Sequence, residues 1–259
     1  MPAPKDIFAA LQGKGKITKV CATNSNSKRT AEQILSKMKI SHSKRVGGDS
    51  IPDTQEIPTG SLFGNLKRTH KVTVFPNLVK ITPIKPTYHE TEDVVHQPMF
   101  FDLDDTIITR KSGRKFGYAP HDWKWLHEEV PVKLQSLHSS QPIIIISNQA
   151  TTSALSAESK SLSNIITKIE YIFKDMTEKK LNVERISFYC STNRKGIMRK
   201  PEIGIFTEFK KDYGVEFDIE LSCFIGDAAG RATDFSDSDK KFAEGCGLKF
   251  LTPEEYYGI

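Results

Sequence analysis

Residues 99–108 read MFFDLDDTII, and this stretch decides the fold class. The apolar residues Met99–Phe101 predict a buried strand, and two carboxylates follow it two positions apart. Because side chains alternate along a strand, Asp102 and Asp104 are expected to point the same way while Leu103 faces the core. A carboxylate pair at a strand end suits a nucleophile beside an acid/base group, with a divalent cation offsetting their repulsion. D-x-D-x-T alone is a modest signal, since acidic turns often follow strands.

Three later segments place further polar groups beside predicted strands or helices. Ile143–Ile146 ends in Ser147, residues 222–225 (SCFI) are followed by Gly226 and Asp227, and Lys200 precedes a helix predicted over 202–213. Continuous apolar runs are typical of parallel strands covered on both faces. In open α/β sheets the site lies beyond the carboxyl ends of the strands, so these side chains are expected to share one crevice.

This motif order resembles that of the haloacid dehalogenase superfamily of phosphotransferases. A narrower resemblance, from about residue 70 onward, is to the phosphatase domain of polynucleotide kinase/3'-phosphatase and to the stand-alone fungal DNA 3'-phosphatases. It rests on the segments HKVTVFPNLVKITP, FDLDDTII, SGRKF, DW, SNQ, RKP, GDAAGR, DFSDSD and LTPEEYY. The resemblance implies an α/β fold with a haloacid-dehalogenase-like, parallel-sheet Rossmannoid core, capless and with a small β-flap. The chain departs from the family pattern at Asp105, a position often held by Gly or another residue. It departs again at residues 150–154, where the kinase-fused enzymes have a glycine-rich, partly basic turn.

Our hypothesis assigns Asp102 as the nucleophile and Asp104 as the general acid/base toward a 3'-phosphate. Lys200 and Ser147 are expected to stabilise the phosphoryl group. Mg²⁺ is expected to bind Asp102, the backbone carbonyl of Asp104, and Asp227, because a hard cation favours oxygen ligands. Contacts to substrate are expected from Asn148, Arg199, Arg110, Lys111, Arg114, Lys115 and Arg231, although Arg231 could equally anchor its own loop. For Asp234 and Asp239 the hypothesis favours helix capping over metal contact.

Composition and charge divide the chain of 259 residues into two parts. Residues 1–50 hold ten Lys/Arg and three Asp/Glu, a net charge of +7, whereas the remainder has a net charge of −2. The first part is rich in polar residues and offers little to bury, so we predict a disordered basic tail and linker over 1–66 and a phosphatase domain over 67–259. Such a tail suits contact with DNA, nuclear import or binding of repair proteins.

Several classes of site and partner are not indicated by the sequence. The four cysteines are widely spread without a C-x-x-C motif, which argues against a disulfide framework and a zinc site. No long apolar run suggests a signal peptide or a membrane span. No G-x-x-x-x-G-K-[ST] motif occurs, so a 5'-kinase site is not expected.

The predicted elements leave no room for a cap domain between the motifs. A hairpin is predicted over 72–81, a flap over 107–118, helices over 130–137, 157–177 and 202–213, and strands over 185–189 and 248–251. These elements fill the 45 positions from Asp102 to Ser147 and the 53 positions from Ser147 to Lys200. An open, capless site suits a macromolecular substrate better than a metabolite.

The leading prediction is therefore a nuclear, monomeric, Mg²⁺-dependent DNA 3'-phosphatase of strand-break repair. Its substrates would be DNA nicks, gaps and double-strand breaks with 3'-phosphate ends. One alternative is a phosphoserine protein phosphatase, because Asp105 gives the D-L-D-acid-T pattern of those enzymes. A second alternative, of another class, is a catalytically silent scaffold that tethers repair factors through the basic tail.

Overall fold

The computed structural model of the protein describes residues 68–86, 95–113, 119–137, 140–155, 159–214 and 216–259. The predicted tail and Arg114 and Lys115 of the predicted flap lie outside the described residues. The strands are β1 (His70–Phe75), β2 (Leu78–Pro83), β3 (Met99–Phe101), β4 (Ile108–Thr109), β5 (Lys124–Trp125), β6 (Ile143–Asn148), β7 (Ile186–Ser191), β8 (Cys223–Ile225) and β9 (Lys249–Leu251). The helices are α1 (Glu129–Gln135), α2 (Lys160–Glu178), α3 (Gly204–Tyr213), α4 (Ser238–Cys246) and α5 (Pro253–Tyr257).

Seven strands form one mixed sheet in the order β1-β2-β7-β6-β3-β8-β9. The five strands from β7 to β9 run parallel, and the β1–β2 hairpin adds two antiparallel strands at one edge. The chain passes from β3 to β6 and β7 on one side, then returns to β8 and β9 on the other. Since ligands bind where an open sheet reverses its strand order, the carboxyl end of β3 is the expected site.

Helices cover both faces of the sheet and enclose two separate apolar cores. One core lies against α1, α2 and α5, and the other against α3 and α4. Met99 and Phe101 of β3 pack in the first core and Phe100 in the second, as the alternation of a strand requires. Burying an Ile, Leu or Phe side chain contributes about 1.5–3 kcal/mol, so apolar strand residues on both faces favour this three-layer arrangement. The predicted α/β fold with a largely parallel core is confirmed.

A two-stranded antiparallel sheet, β4 with β5, forms the base of the flap after β3. Above it, both the backbone N–H and the hydroxyl of Ser112 donate to the carboxylate of Asp122, at 2.8 and 2.7 Å. The indole of Trp125 donates to Asp175 of α2 at 2.8 Å, which joins the flap to the main domain. The flap was predicted to close by residue 118, and this was wrong because its returning strand is Lys124–Trp125.

Two helices were missed by the sequence analysis. Helix α4 begins with charged and polar residues and buries only Asp239, Phe242, Ala243 and Cys246, so its apolar periodicity is too short to recognise. Helix α5 spans five residues and is stabilised by a capping box between Thr252 and Glu255. Within the described residues, the segments between β3 and β6 and between β6 and Lys200 hold only the flap, α1, α2, a 3-10 turn and β7, without a cap domain. No described helix is long and apolar enough to span a bilayer.

Candidate active site

A crevice of about 420 Å³ opens at the carboxyl end of β3. It brings together five side chains that the sequence placed at one site: Asp102, Asp104, Ser147, Lys200 and Asp227. The other lining residues are Asp105, Arg110, Asn148, Arg199, Pro201, Ala228, Phe235, Ser236, Asp237, Ser238 and Asp239. Ser147 is the fifth residue of β6, at its carboxyl end.

The ammonium group of Lys200 lies at the centre of the site. It donates to Asp102 Oδ1 at 2.7 Å and to the carbonyl oxygen of Ile146 at 2.8 Å, and it lies 2.8 Å from Asp239 Oδ1. These three contacts match its three N–H donors. The side-chain amide of Asn148 holds the backbone of Lys200, accepting from its N–H at 3.0 Å and donating to its carbonyl at 3.1 Å. Asn148 therefore positions Lys200. The predicted role of Asn148 was a contact to substrate.

Three carboxylates surround this single ammonium. One oxygen each from Asp102, Asp227 and Asp239 lies within 4.8 Å of the others. Burial raises the pKa of Asp102 well above its usual range, opposed by Lys200 and reinforced by Asp239 and Asp227. Burial, with Asp239, raises the pKa of Asp227 to about 7. Burial opposes the charged form of Lys200, but the neighbouring carboxylates outweigh it and raise its pKa.

The donor set of this cluster fits a hard divalent cation such as Mg²⁺. All three groups are carboxylates, which Mg²⁺ prefers, and one ammonium leaves excess negative charge when the three are ionised. Such excess charge in a buried site is costly unless a cation compensates it. The candidate ligand set differs from the predicted one, because Asp239 joins Asp102 and Asp227.

The prediction that Asp239 caps a helix was wrong. The N-cap of α4 is Asp237, whereas Asp239 lies inside the helix, 2% exposed, with its carboxylate against Lys200 and the backbone N–H of Ala228. Gly226 permits this approach, since a Cβ there would collide with the Asp239 carboxylate. Asp234 does not cap a helix either. It accepts from the backbone N–H groups of residues 229 and 231 and holds its own loop.

Asp104 lines the same crevice but makes its contacts on the other face of the sheet. Its Oδ2 accepts from Gln149 Nε2 at 2.7 Å, and its Oδ1 lies 3.8 Å from Lys168 Nζ of α2. Gln149 also donates to Ser147 Oγ at 2.9 Å. Leu103 between the two acids is fully buried, as predicted. The two carboxylates were expected to converge, but Asp102 contacts the α4 side of the site and Asp104 the α2 side.

Asp105 has a left-handed backbone, with φ of 55°. Glycine adopts this conformation without a steric penalty, and Asp is among the few other residues that tolerate it. Thr109 Oγ1 donates to Asp105 Oδ1 at 2.7 Å, which directs this exposed carboxylate toward the base of the flap. The departure from the family pattern therefore costs little locally.

The predicted substrate contacts divide into two groups. Arg110 and Arg199 line the crevice, whereas Lys111 is exposed and is not among the lining residues. Of the two roles expected for Arg231, its contacts match the anchoring of its own loop. Its guanidinium is engaged by Asp234 at 2.9 Å, by Glu254 at 3.0 Å and by the carbonyl of Asp227, so it anchors its loop.

Four residues that the sequence analysis gave no role at the site lie at or beside the crevice: Asp239, Gln149, Lys168 and Phe235. The Phe235 ring is 85% exposed at the crevice rim. The motifs SNQ and DFSDSD already contain Gln149, Phe235 and Asp239, so a signal existed for three of them. Lys168 had none, because one lysine among several on α2 is ordinarily a solvated residue.

The comparison with known proteins agrees with this geometry. The family model described as polynucleotide kinase 3 phosphatase matches residues 97–257. The chain belongs to this family. The resemblance inferred from the motifs is thus confirmed, and the match begins just before β3 and ends within α5.

This chain covers different shares of the named relatives that it matches. The bifunctional polynucleotide phosphatase/kinase of Schizosaccharomyces pombe is 35% identical over 61% of this chain, which spans 36% of that protein. The polynucleotide 3'-phosphatase of Saccharomyces mikatae is 30% identical over 73% of this chain and 96% of its own. Among solved structures, a D,D-heptose 1,7-bisphosphate phosphatase from B. bronchiseptica gives a TM-score of 0.45 at 13% identity, covering 60% of this chain and 78% of that one.

Proposed function

We propose that this protein is a DNA 3'-phosphatase that removes 3'-phosphate groups from strand-break ends. One observation carries the proposal: a chain of the polynucleotide kinase 3'-phosphatase family gathers Asp102, Asp104, Ser147, Lys200 and Asp227 in one crevice. The budding-yeast and Arabidopsis thaliana relatives named polynucleotide 3'-phosphatase support the same substrate.

The proposed first step is transfer of the phosphoryl group to Asp102. Lys200 engages Oδ1 of this carboxylate, and we assign Oδ2 to attack phosphorus. A bond from Asp102 to phosphorus forms as the bond from phosphorus to the 3'-oxygen breaks, and Asp104 donates its proton to that oxygen. The products are an aspartyl-phosphate and a DNA end with a 3'-hydroxyl group.

The proposed second step returns the enzyme to its starting state. Asp104, now a carboxylate, removes a proton from a water molecule whose oxygen bonds to phosphorus. The bond from phosphorus to Asp102 breaks, which releases inorganic phosphate and restores the Asp102 carboxylate. Lys200 and the hydroxyl of Ser147 stabilise the charge on the transferring group in both steps. Asp102, Asp227 and Asp239 would hold Mg²⁺, which when bound supplies positive charge that lets a dianionic ester approach these acids.

The surroundings of the crevice suit a polynucleotide. In the part of the chain that the structure describes, no cap domain closes over the site, so a large substrate can reach it. Arg110 and Arg199 provide positive charge for phosphate groups along a strand. The exposed ring of Phe235 offers a surface on which a base can stack. Nuclear localisation, action as a monomer, and binding of repair proteins through residues 1–66 complete the proposal.

The two alternative functions have less support. A phosphoserine protein phosphatase fits the D-L-D-D-T pentapeptide, but the family match extends over 97–257 and not over one motif. A silent scaffold has no need for a buried lysine contacting two carboxylates, which is costly to maintain without a function.

The decisive experiment compares three substrates with the full chain in Mg²⁺ and in excess chelator. They are an oligonucleotide with a 3'-phosphate, the same oligonucleotide with a 5'-phosphate, and a phosphoserine peptide, with Asp102→Asn as the inactive control. We expect metal-dependent phosphate release from the 3'-end alone. Release mainly from the peptide would favour the protein phosphatase, and no release from any of the three would favour the scaffold.

A further inference from the structure

Two side chains, Gln149 and Lys168, engage the two oxygens of the Asp104 carboxylate. Gln149 Nε2 donates to Oδ2 at 2.7 Å, and Lys168 Nζ lies 3.8 Å from Oδ1. Gln149 also donates to Ser147 Oγ, which links Asp104 to the group proposed to bind the phosphoryl oxygens. Asp104 thus has a defined orientation that neither Asp102 nor Lys200 imposes.

The fold fixes both of these partners firmly. Gln149 directly follows β6, and its backbone N–H donates to the carbonyl of Ser191 at the end of β7, at 2.7 Å. Lys168 lies between Ile165 and Ile169 of α2, both buried in the first core. The Lys168 side chain is only 13% exposed. A nearly buried ammonium is costly without a carboxylate nearby, so its position next to Asp104 calls for an explanation.

An orientation constraint on Asp104 has a direct chemical use. A general acid must lie within hydrogen-bond reach of the oxygen that it protonates, and a displacement of about 1 Å can cost roughly a hundredfold in rate. On the opposite side of the crevice, Lys200 and a bound divalent cation would attract a free carboxylate. Contacts from the α2 face oppose that attraction and keep Asp104 away from the cluster of three acids.

We propose that Gln149 and Lys168 are positioning residues that hold Asp104 in line with the leaving 3'-oxygen. This proposal rests on the proposed function for its substrate. It assigns neither residue to contact with the reacting atoms. It explains why a glutamine follows the Ser-Asn pair at the end of β6 and why α2 carries a lysine at a nearly buried position.

The test compares two substrates whose leaving groups differ in how much they need a proton from a general acid. A 3'-alkoxide is a poor leaving group and requires general acid catalysis, whereas p-nitrophenolate leaves readily without it. The ratio kcat/KM reports only steps up to phosphoryl transfer. We expect Gln149→Ala and Lys168→Met each to lower kcat/KM about tenfold or more for a 3'-phosphorylated oligonucleotide, through kcat. For p-nitrophenyl phosphate the loss should stay below about threefold.

Two further variants separate positioning from a general structural effect. Lys174→Met changes an exposed lysine on the same helix that pairs with Glu178, and it should leave the activity on both substrates unaffected. Lys168→Arg keeps the charge and should recover most of the oligonucleotide activity. Thermal unfolding of each variant verifies folding, and Gln149→Ala tests the proposal independently if Lys168→Met does not fold.

Three results would overturn the proposal: equal losses on both substrates, an effect on KM alone, or no loss for either variant. Failure of the proposed function gives a different signature, since the wild-type protein would then not act on 3'-phosphorylated DNA at all. In that case the same comparison is made between glycerol phosphate, an alkyl ester, and p-nitrophenyl phosphate. A selective loss on the alkyl ester would still support positioning of Asp104.

Discussion

Replacing Lys200 by methionine tests the electrostatic account of the site. Lys200 is 3% exposed, and its ammonium group contacts Asp102, Asp239 and the carbonyl of Ile146. Methionine has a similar length and no charge, so two buried carboxylates lose their cation while the packing changes little. Breaking a buried ion pair by removing one partner costs about 3–5 kcal/mol. We expect the free energy of unfolding at pH 8, without Mg²⁺, to fall by about that amount.

The deficit should shrink as the solution is acidified. Burial raises the pKa of Asp102, and the positive charge of Lys200 lowers it. Removing Lys200 therefore raises the pKa of Asp102 further. A carboxyl with a raised pKa in the folded state destabilises that state only when it is charged. The penalty is therefore absent below the unfolded-state pKa near 4 and grows as the pH rises toward the folded-state pKa. The difference between variant and wild type should be smaller at pH 5 than at pH 8.

Urea unfolding of both proteins at pH 5 and pH 8, in chelator, measures this directly. Lys241→Met is the matched control, because Lys241 pairs with Asp237 on the exposed surface of α4 and its loss should leave stability nearly unchanged. A deficit of equal size at both pH values would show that the loss arises from packing. A deficit below about 1 kcal/mol at pH 8 would refute the assignment of Lys200 as the cation that compensates these acids.

Three more predictions concern the cation, the backbone and the substrate. Mg²⁺ affinity, measured by calorimetry, should weaken as the pH falls below about 7. The pKa of Asp227 is raised to about 7, and its carboxyl group must lose its proton when the cation binds. Equal affinity at pH 8 and pH 5.5 would contradict this prediction. Gly226→Ala should reduce 3'-phosphate release about a hundredfold or more, since a Cβ there displaces Asp239 from Lys200; activity within about tenfold of wild type would exclude that role. Phe235→Ala should raise KM for a 3'-phosphorylated oligonucleotide about 5- to 150-fold, through loss of a stacking contact of about 1–3 kcal/mol, with kcat changed less. Steady-state kinetics with an unchanged KM would remove Phe235 from the binding site.

The sequence predicted the parts of the site that local patterns encode. Apolar runs that end in acids, as at Asp102 and Asp227, identify buried parallel strands and the edge where their ends meet. Lys200 was predicted through its motif, because one lysine before a helix carries little information alone. The hairpin at 70–83 was predictable from two alternating runs around Pro76 and Asn77.

The remaining features depend on contacts between distant parts of the chain. Asp239 was interpreted as a helix cap because it lies in a negatively charged stretch, and its burial against Lys200 follows only from the packing of α4 beside Gly226. Lys168 meets Asp104 across 64 positions of sequence, through the docking of α2 on the sheet. The returning strand of the flap was misplaced, since two residues on each side give too short a pattern to recognise.

Asp102 and Asp104 line one crevice, but their partners come from helices on opposite faces of the sheet, which has an evolutionary consequence. Asp102, the proposed attacking group, contacts Lys200, which also pairs with Asp239 of α4. Asp104, the proposed proton donor, contacts Gln149 and Lys168 of α2, and the fully buried Leu103 lies between the two acids. The side chains that contact Asp102 differ from those that contact Asp104, and Gln149 connects the second set to Ser147. In the proposed mechanism, mutation of Lys168 on α2 would therefore change protonation of the leaving alcohol while leaving the contacts of Asp102 unchanged. Selection could then act on release of the alcohol separately from capture of the phosphoryl group.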